Sequence, residues 1–248
     1  MKIALITGAS QGIGAAITTI FNKNNIKVIL VSRSKKKLKN FQKTLKNRKN
    51  SIIISKDLRT LSACKMLSKK FKKINYLINV AGATKGGQFL KLSDNLWNDG
   101  FDLKFKAAVR LTREFWPTLK KNKGKVINIG GGAARSPSNT FMIGGAVNSA
   151  LNNFSKALAQ QGKLDKVSVS IIHPGMTLTS RLQKLLDTES KIKRKSIKEI
   201  LRQKCKDDKI KRPNYPEEVA KLVYKLIKDK KSNFKNLAID GGKIKKLV

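Results

Sequence analysis

Acidic residues are scarce: 15 Asp and Glu stand against 55 Lys and Arg in 248 residues, a formal charge of +40. Cysteine is nearly absent. Cys64 and Cys205 alone supply no metal centre and no disulfide framework, which fits a reducing, cytoplasmic setting. No apolar run approaches the roughly 18 to 20 residues that a membrane span needs, so no membrane insertion is expected. Residues 3–6 are too short for the apolar region of a secretory signal and run straight into a Gly-rich turn. Aromatic residues make up only 6%, a poor supply for the stacking platforms of single-strand nucleic-acid binders.

Apolar residues, by contrast, make up 40% and are spread along the whole chain, which excludes a disordered basic tail protein. Lysine supplies 45 of the positive residues and arginine only 10. Nucleic-acid sites favour Arg forks and clustered patches. Here the lysines are scattered, and runs such as Lys35-Lys36-Lys37 and Lys69-Lys70-Phe71-Lys72-Lys73 read as solvated faces. Asn and Ile are also common, as in Asn22-Lys23-Asn24-Asn25-Ile26-Lys27, a pattern that fits drift in an A+T-rich genome. Net charge bears on solubility and nonspecific binding more than on fold. No specific nucleic-acid partner is expected, only salt-sensitive adhesion to polyanions.

Seven short apolar runs, at 3–6, 26–31, 52–54, 76–78, 126–129, 167–172 and 237–239, read as buried strands, several of them nearly continuous in β-branched residues. Between them Ile13, Ile17, Ile20 and Phe21, and later Val147, Leu151, Phe154 and Leu158, recur at helical spacing. This alternation predicts an α/β chain: a three-layer, doubly wound Rossmann fold with a seven-stranded parallel sheet and helices on both faces. No Pro/Gly-rich linker divides it, so residues 1–248 are expected to form one domain. The charged, helical segment 176–213 is expected to lie over the carboxyl edge as a substrate lid.

The first strand ends in Thr7-Gly8-Ala9-Ser10-Gln11-Gly12-Ile13-Gly14. Glycines there let the backbone turn tightly against a pyrophosphate, and the following helix offers free N–H groups and its positive dipole end to the anion. This loop resembles that of the short-chain dehydrogenase/reductase family, and the likeness continues over essentially the whole chain. Asp57-Leu58 resembles the family's adenine-contacting pair, Asn79-Val80-Ala81-Gly82 its Asn-Asn-Ala-Gly motif, and Asp240-Gly241-Gly242 its C-terminal turn. Pro174 and Gly175, with Thr177 and Thr179 beyond them, resemble the segment holding nicotinamide and pyrophosphate. The resemblance therefore implies cofactor contacts from Gly8, Ser10, Gln11, Gly12, Ile13, Gly14, Ser32, Arg33, Asp57, Leu58, Asn79, Ala81, Gly82, Pro174, Gly175, Thr177 and Thr179.

The second strand ends in Ser32-Arg33 rather than in an acid, and a hydroxyl beside a guanidinium suits a 2′-phosphate. NADP(H) is thus expected over NAD(H). The family's catalytic positions read differently. Gly131 stands where the resemblance expects Ser, Gly144 where it expects Tyr, Asn148 where it expects Lys, and Lys104 where it expects the relay Asn. The last two changes are reciprocal, so Lys104 and Asn148 are the candidate catalytic pair, with Lys104 as ribose binder or proton donor. His173, the one histidine, reads mainly as a packing residue before Pro174. Ser136, Ser138 and Thr140 offer hydroxyls near the missing Ser, and nothing in their spacing selects one. The implied function is an NADP(H)-dependent oxidoreductase acting on an unidentified carbonyl or alcohol; the alternative is an inactive NADP(H)-binding sensor or scaffold subunit. No metal is implied. Family members are commonly dimers or tetramers packed through two long helices, here about 98–121 and 144–161, so a homodimer or homotetramer is expected.

Overall fold

The β-branched runs form a twisted sheet whose strand order is β3-β2-β1-β4-β5-β6-β7-β8. The structure, a computed structural model, describes residues 1–230 and 234–247. Its first six strands are β1 (Ile3–Thr7), β2 (Lys27–Ser32), β3 (Ser51–Ser55), β4 (Tyr76–Asn79), β5 (Lys125–Ile129) and β6 (Ser168–Pro174). The sheet closes with β7 (Lys235–Asp240) and β8 (Lys243–Lys246). Pairing is parallel from β3 through β7, with Leu5 opposite Ile29 on one side and Leu77 on the other. The chain order reverses between β1 and β4, which opens a crevice at their carboxyl ends.

Side chains alternate between two cores, as the period of two along a strand requires. Ala4, Ile6, Val28 and Leu30 face a cluster with Ile17 and Phe21 of α1 (Gly12–Lys23), Leu38 of α2 (Lys35–Lys43) and Val219 and Val223 of the last helix. Leu5, Ile29, Val31 and Leu77 face the opposite cluster, with Cys64 and Leu67 of α3 (Leu61–Lys70). After the short α4 (Asp94–Gly100), α5 (Ala107–Lys121) adds Leu111, Phe115 and Leu119 to this second core, and α6 (Met142–Asp165) adds Ala159. Between the strands and the last helix stand α7 (Ser180–Lys193) and α8 (Ile197–Asp207), and α9 (Pro216–Lys228) precedes β7. Leu182, Leu186 and Ile200 join α7 to α8 in a small apolar cluster of their own.

The sheet has eight strands among the described residues rather than the expected seven. The extra strand, β8, is Lys243-Ile244-Lys245-Lys246; it is antiparallel to β7 and fully exposed. Nothing buries one of its faces, so it has no apolar alternation and reads in sequence as a basic tail. Gly241 and Gly242, at φ +57° and +81°, make the tight turn that brings it back. The other strand boundaries differ by one or two residues, mostly because polar ends such as Ser32, Asn79 and His173-Pro174 stay in the ladder.

Candidate functional site

The crevice at the carboxyl ends of β1, β2, β4 and β5 holds a cavity of about 360 Å³. Gly8, Ser10, Gln11, Gly12, Ile13 and Gly14 form one wall, Ser32 and Arg33 one end, and Ala81, Gly82, Lys104 and Gly130 the floor. Thr179, Ser180 and Arg181, at the start of α7, close over it.

The glycine wall is set by backbone geometry. Gly8 and Gly12 lie at φ +64° and +56°, where a side chain is strained. A Cβ on Gly14 would stand 2.3 Å from the carbonyl oxygen of Gly8, so only glycine permits this approach of helix to loop. The Thr7 hydroxyl accepts the N–H groups of Val80 and Ala81, both at 2.9 Å, and ties the loop to the end of β4. The first turn of α1 has neither a side-chain cap nor an acidic residue, which leaves its N–H groups and dipole directed at the cavity. At the end of β2 the Ser32 Oγ is buried with no hydrogen-bond partner. Beside it the cavity is lined by Arg33, Lys37 and Lys56, and the Lys37 ammonium donates to Gln11 Oε1 at 3.3 Å. A glycine cradle, an uncapped helix start, an orphaned hydroxyl and three cations fit a phosphorylated dinucleotide.

The floor is built around Lys104. It lies in a widened, π-type turn, Phe101–Lys106, that joins α4 to α5. Such turns are common at functional positions because they rotate side chains out of register. The Lys104 stem crosses Gly82, where a Cβ would stand 2.7 Å from Lys104 Cδ. Its Nζ donates to the carbonyl oxygen of Gly130 at 2.8 Å. Burial, and then the charge of Arg181, pull its pKa from 10.5 down to about 7. Arg181 donates to the Thr84 carbonyl at 2.7 Å, and its guanidinium sits 5.7 Å from the centre of the Phe141 ring.

Three glycines, at 130, 131 and 144, each admit a neighbouring side chain. A Cβ on Gly131 would stand 2.7 Å from Asn148 Nδ2, and Asn148 Oδ1 is buried without a hydrogen-bond partner. A Cβ on Gly144 would fall 1.9 Å from Phe141 Cε1, so the phenylalanine ring occupies the space beside Gly144. A Cβ on Gly130 would meet His173 Nδ1 at 2.6 Å. Lys104 and Asn148 make no hydrogen bond to each other; they meet through the Gly130-Gly131 backbone that both touch. His173 is buried, and desolvation takes its pKa down to about 4. Its neutral ring hydrogen-bonds Gly131 through Nδ1 at 3.2 Å and Asn152 Oδ1 through Nε2, also at 3.2 Å. That is the packing position the sequence suggested. Ser138 and Thr140 bond each other in an exposed loop.

Five of the residues expected to contact the cofactor are not among those lining the cavity. Asp57 pairs with Arg59 at 2.6 Å, whereas the buried Leu58 lines the cavity. Asn79 donates to Asn128 Oδ1 at 2.9 Å, and Asn128 donates to Ser155 Oγ at 2.8 Å, in a buried chain between β4, β5 and α6. Pro174 ends β6 against Ile239, and Gly175 lies so close to Asp240 that a Cβ would stand 2.3 Å from its Oδ1. Thr177 bonds the Gly175 carbonyl and bridges to Asn214. Conversely, Lys56, Arg181 and Phe141 have no motif to announce them. The only available signal for Lys56 and Arg181 was position, directly after β3 and two residues after Thr179.

A family model described as short chain dehydrogenase matches residues 2–190. The chain belongs to that family. This short-chain dehydrogenase is 27% identical over 254 residues to the uncharacterized oxidoreductase YvaG of Bacillus subtilis, covering 98% of the chain and 96% of that protein. It is 30% identical over 196 residues to the 3-oxoacyl-acyl-carrier-protein reductase FabG of Escherichia coli, covering 76% and 78% of the two chains. Among solved structures, the L-sorbose reductase of Gluconobacter frateurii, complexed with NADPH and L-sorbose, superposes with a TM-score of 0.90 at 28% identity. That match covers 97% of this chain and 95% of the other. The family is one of oxidoreductases, and of these neighbours the L-sorbose reductase structure is the one described as complexed with NADPH. No helix among the described residues is long and apolar enough to cross a membrane.

Proposed function

We propose that this short-chain dehydrogenase is an NADP(H)-dependent reductase of a small carbonyl compound, with a rearranged proton-donating site centred on Lys104. The observation that supports this best is the half-buried ammonium on the cavity floor, which donates to the Gly130 carbonyl at 2.8 Å and pairs with no carboxylate among the described residues. A bound nicotinamide supplies the hydride. The chain's part is the proton: Lys104 Nζ leaves the Gly130 carbonyl for the substrate oxygen and neutralises it as the carbonyl is reduced. A pKa near 7 matches this task, because a large share of the donor is then charged at neutral pH and gives up its proton readily. In this reading Gly131, Gly144 and Asn148 replace the Ser, Tyr and Lys that the resemblance expects, and Asn148 positions the Gly130-Gly131 backbone. Phe141 and Asn148 fill the space in which those side chains would begin.

Preference for NADP(H) rests on Arg33, Lys37 and Lys56 around the unpaired Ser32 hydroxyl, with no acid at that end of the cavity. Segment 176–213 serves as the lid of a single 248-residue domain, and a homodimer or homotetramer would pack through α5 and α6 in the cytoplasm. NADPH oxidation followed at 340 nm with a panel of ketones and aldehydes tests the reading. Turnover by the wild type and a loss of 100-fold or more in Lys104→Met are expected, with NADPH binding retained. The second reading is an inactive NADP(H)-binding subunit, favoured by the glycines at 131 and 144; NADPH binding with no oxidation by any carbonyl would establish it.

A further inference from the structure

The glycine wall, Arg33, Lys37 and Lys56 answer the charges of the dinucleotide, but the other end of the cavity carries two more cations. Lys104 and Arg181 are close enough for the guanidinium to depress the lysine's pKa, and neither forms an ion pair among the described residues. Two like charges gathered in a half-enclosed cleft oppose each other unless an anion lies between them.

The placement of Arg181 separates it from the phosphate wall. Thr179 packs on Gly12, where a Cβ would stand 3.1 Å from Thr179 Cγ2. Two residues later Arg181 reaches to the Thr84 carbonyl and the Phe141 ring, on the Lys104 side of the cavity. One of its five N–H donors is committed to Thr84, and the exposed side chain otherwise lines the cleft. The ring beneath it depends on Gly144, because any Cβ there would displace Phe141.

We propose that the substrate carries its own anionic group, a carboxylate or a phosphate, which Arg181 binds so that the carbonyl oxygen falls to Lys104. This deepens the reductase reading and rests on it for the chemistry, although the anion site itself is testable alone. An Arg fork holds either anion through paired N–H groups, and the second cation favours the same charge. Gly144 and Phe141 act as positioning residues for the fork.

The test compares matched pairs: pyruvate against its methyl ester, and dihydroxyacetone phosphate against dihydroxyacetone, in wild type, Arg181→Gln and Arg181→Lys. The wild type is expected to favour one anionic member about 10- to 100-fold in kcat/KM, the range of a charge-assisted hydrogen bond. Which pair shows it identifies the anion. Arg181→Gln should lose the preference through KM, Arg181→Lys should restore part of it, and NADPH affinity should stay unchanged in both. Equal use of charged and neutral members by the wild type, or an equal loss on both in Arg181→Gln, overturns the proposal. If no carbonyl is reduced at all, calorimetry of oxalate and glycerol phosphate on the NADP⁺-loaded protein decides. Binding that Arg181→Gln abolishes sustains the anion site while the reductase reading falls; no binding of either anion overturns the site as well.

Discussion

Replacing Lys104 with Met should make the protein more stable at pH 6 while removing its activity. The sign follows from proton binding. The unfolded lysine keeps its proton up to about 10.5, and the folded one loses it near 7. Below pH 7 both forms are charged and the full cost of holding an ammonium in the cleft is present. Between about 7 and 10.5 the unfolded chain binds the extra proton, so the wild type gains stability as pH rises. At about 1.4 kcal/mol per pH unit the cost is bounded near 5 kcal/mol, and solvent reaching a half-buried group lowers it to about 2 kcal/mol. Methionine fills much of the same space and forfeits the Gly130 hydrogen bond, a loss of about 1 kcal/mol. The net gain at pH 6 is then about 1 kcal/mol, or roughly 2 to 4 °C in melting temperature for a chain of this size.

The assay is the difference in melting temperature between variant and wild type from pH 6 to pH 10. The other lysines titrate in both proteins, so their contribution cancels. The difference should be positive at pH 6, shrink above pH 7 and reach zero or turn slightly negative towards pH 10. The other charged or titratable groups facing Lys104 are Arg181 and the neutral His173, neither of which reverses the trend. A difference that stays constant with pH, or a variant that is less stable at pH 6, would refute the placement of a strained ammonium on the cavity floor.

Three further outcomes follow from the cofactor wall and the helix packing. Arg33→Asp should weaken NADPH binding about 10-fold at low salt and change NADH binding by less than about 3-fold, with the contrast fading as salt rises; equal losses for both cofactors would argue against a 2′-phosphate contact. Gly14→Ala forces a Cβ to 2.3 Å from the Gly8 carbonyl, where backbone cannot give way, so a cost above about 2 kcal/mol and loss of cofactor affinity are expected. An unchanged melting temperature and NADPH affinity would sink that account of the loop. Asp165 is held ionised well below the usual carboxylate range by hydrogen bonds from Lys120, Gln161 and Trp116. Its contribution is present at neutral pH and lost as pH falls through the folded value. Asp165→Asn should therefore melt earlier than wild type at pH 7, with the gap narrowing in acid.

The sheet was legible because burial on both faces leaves β-branched runs that little else produces. The phosphate loop was legible because positive φ and close backbone approach admit only glycine at Gly8, Gly12 and Gly14. Motif position does not show which neighbour engages a side chain. Arg59 pairs with Asp57, and Asn128 takes Asn79 into a buried polar chain. Neither competitor lies inside the motif, so the spacing could not announce it. Lys56 and Arg181 were hidden for a different reason: in a chain with 55 positive residues, one more cation carries no signal until the fold shows what it faces.

That last point changes how the charge should be weighed. Most of the lysines are exposed and could be exchanged without touching the cavity, whereas the cavity's own cations are arranged in two groups with different surroundings. Arg33, Lys37 and Lys56 line an open end beside an unpaired hydroxyl, where salt would screen them. Lys104 and Arg181 stand together elsewhere on the lining, Lys104 half-buried and Arg181 exposed, and donate to the Gly130 and Thr84 carbonyls. Background charge alone gives no reason for a lysine to sit on Gly82 and Gly130 in a widened helical turn, or for an arginine to lie over a ring that only Gly144 admits. The glycines that read in sequence as losses are, in the structure, what leaves room for Phe141 and Asn148. Asn148 thus lies against the Gly131 backbone, beside the carbonyl that Lys104 meets, and Phe141 is the ring beneath Arg181.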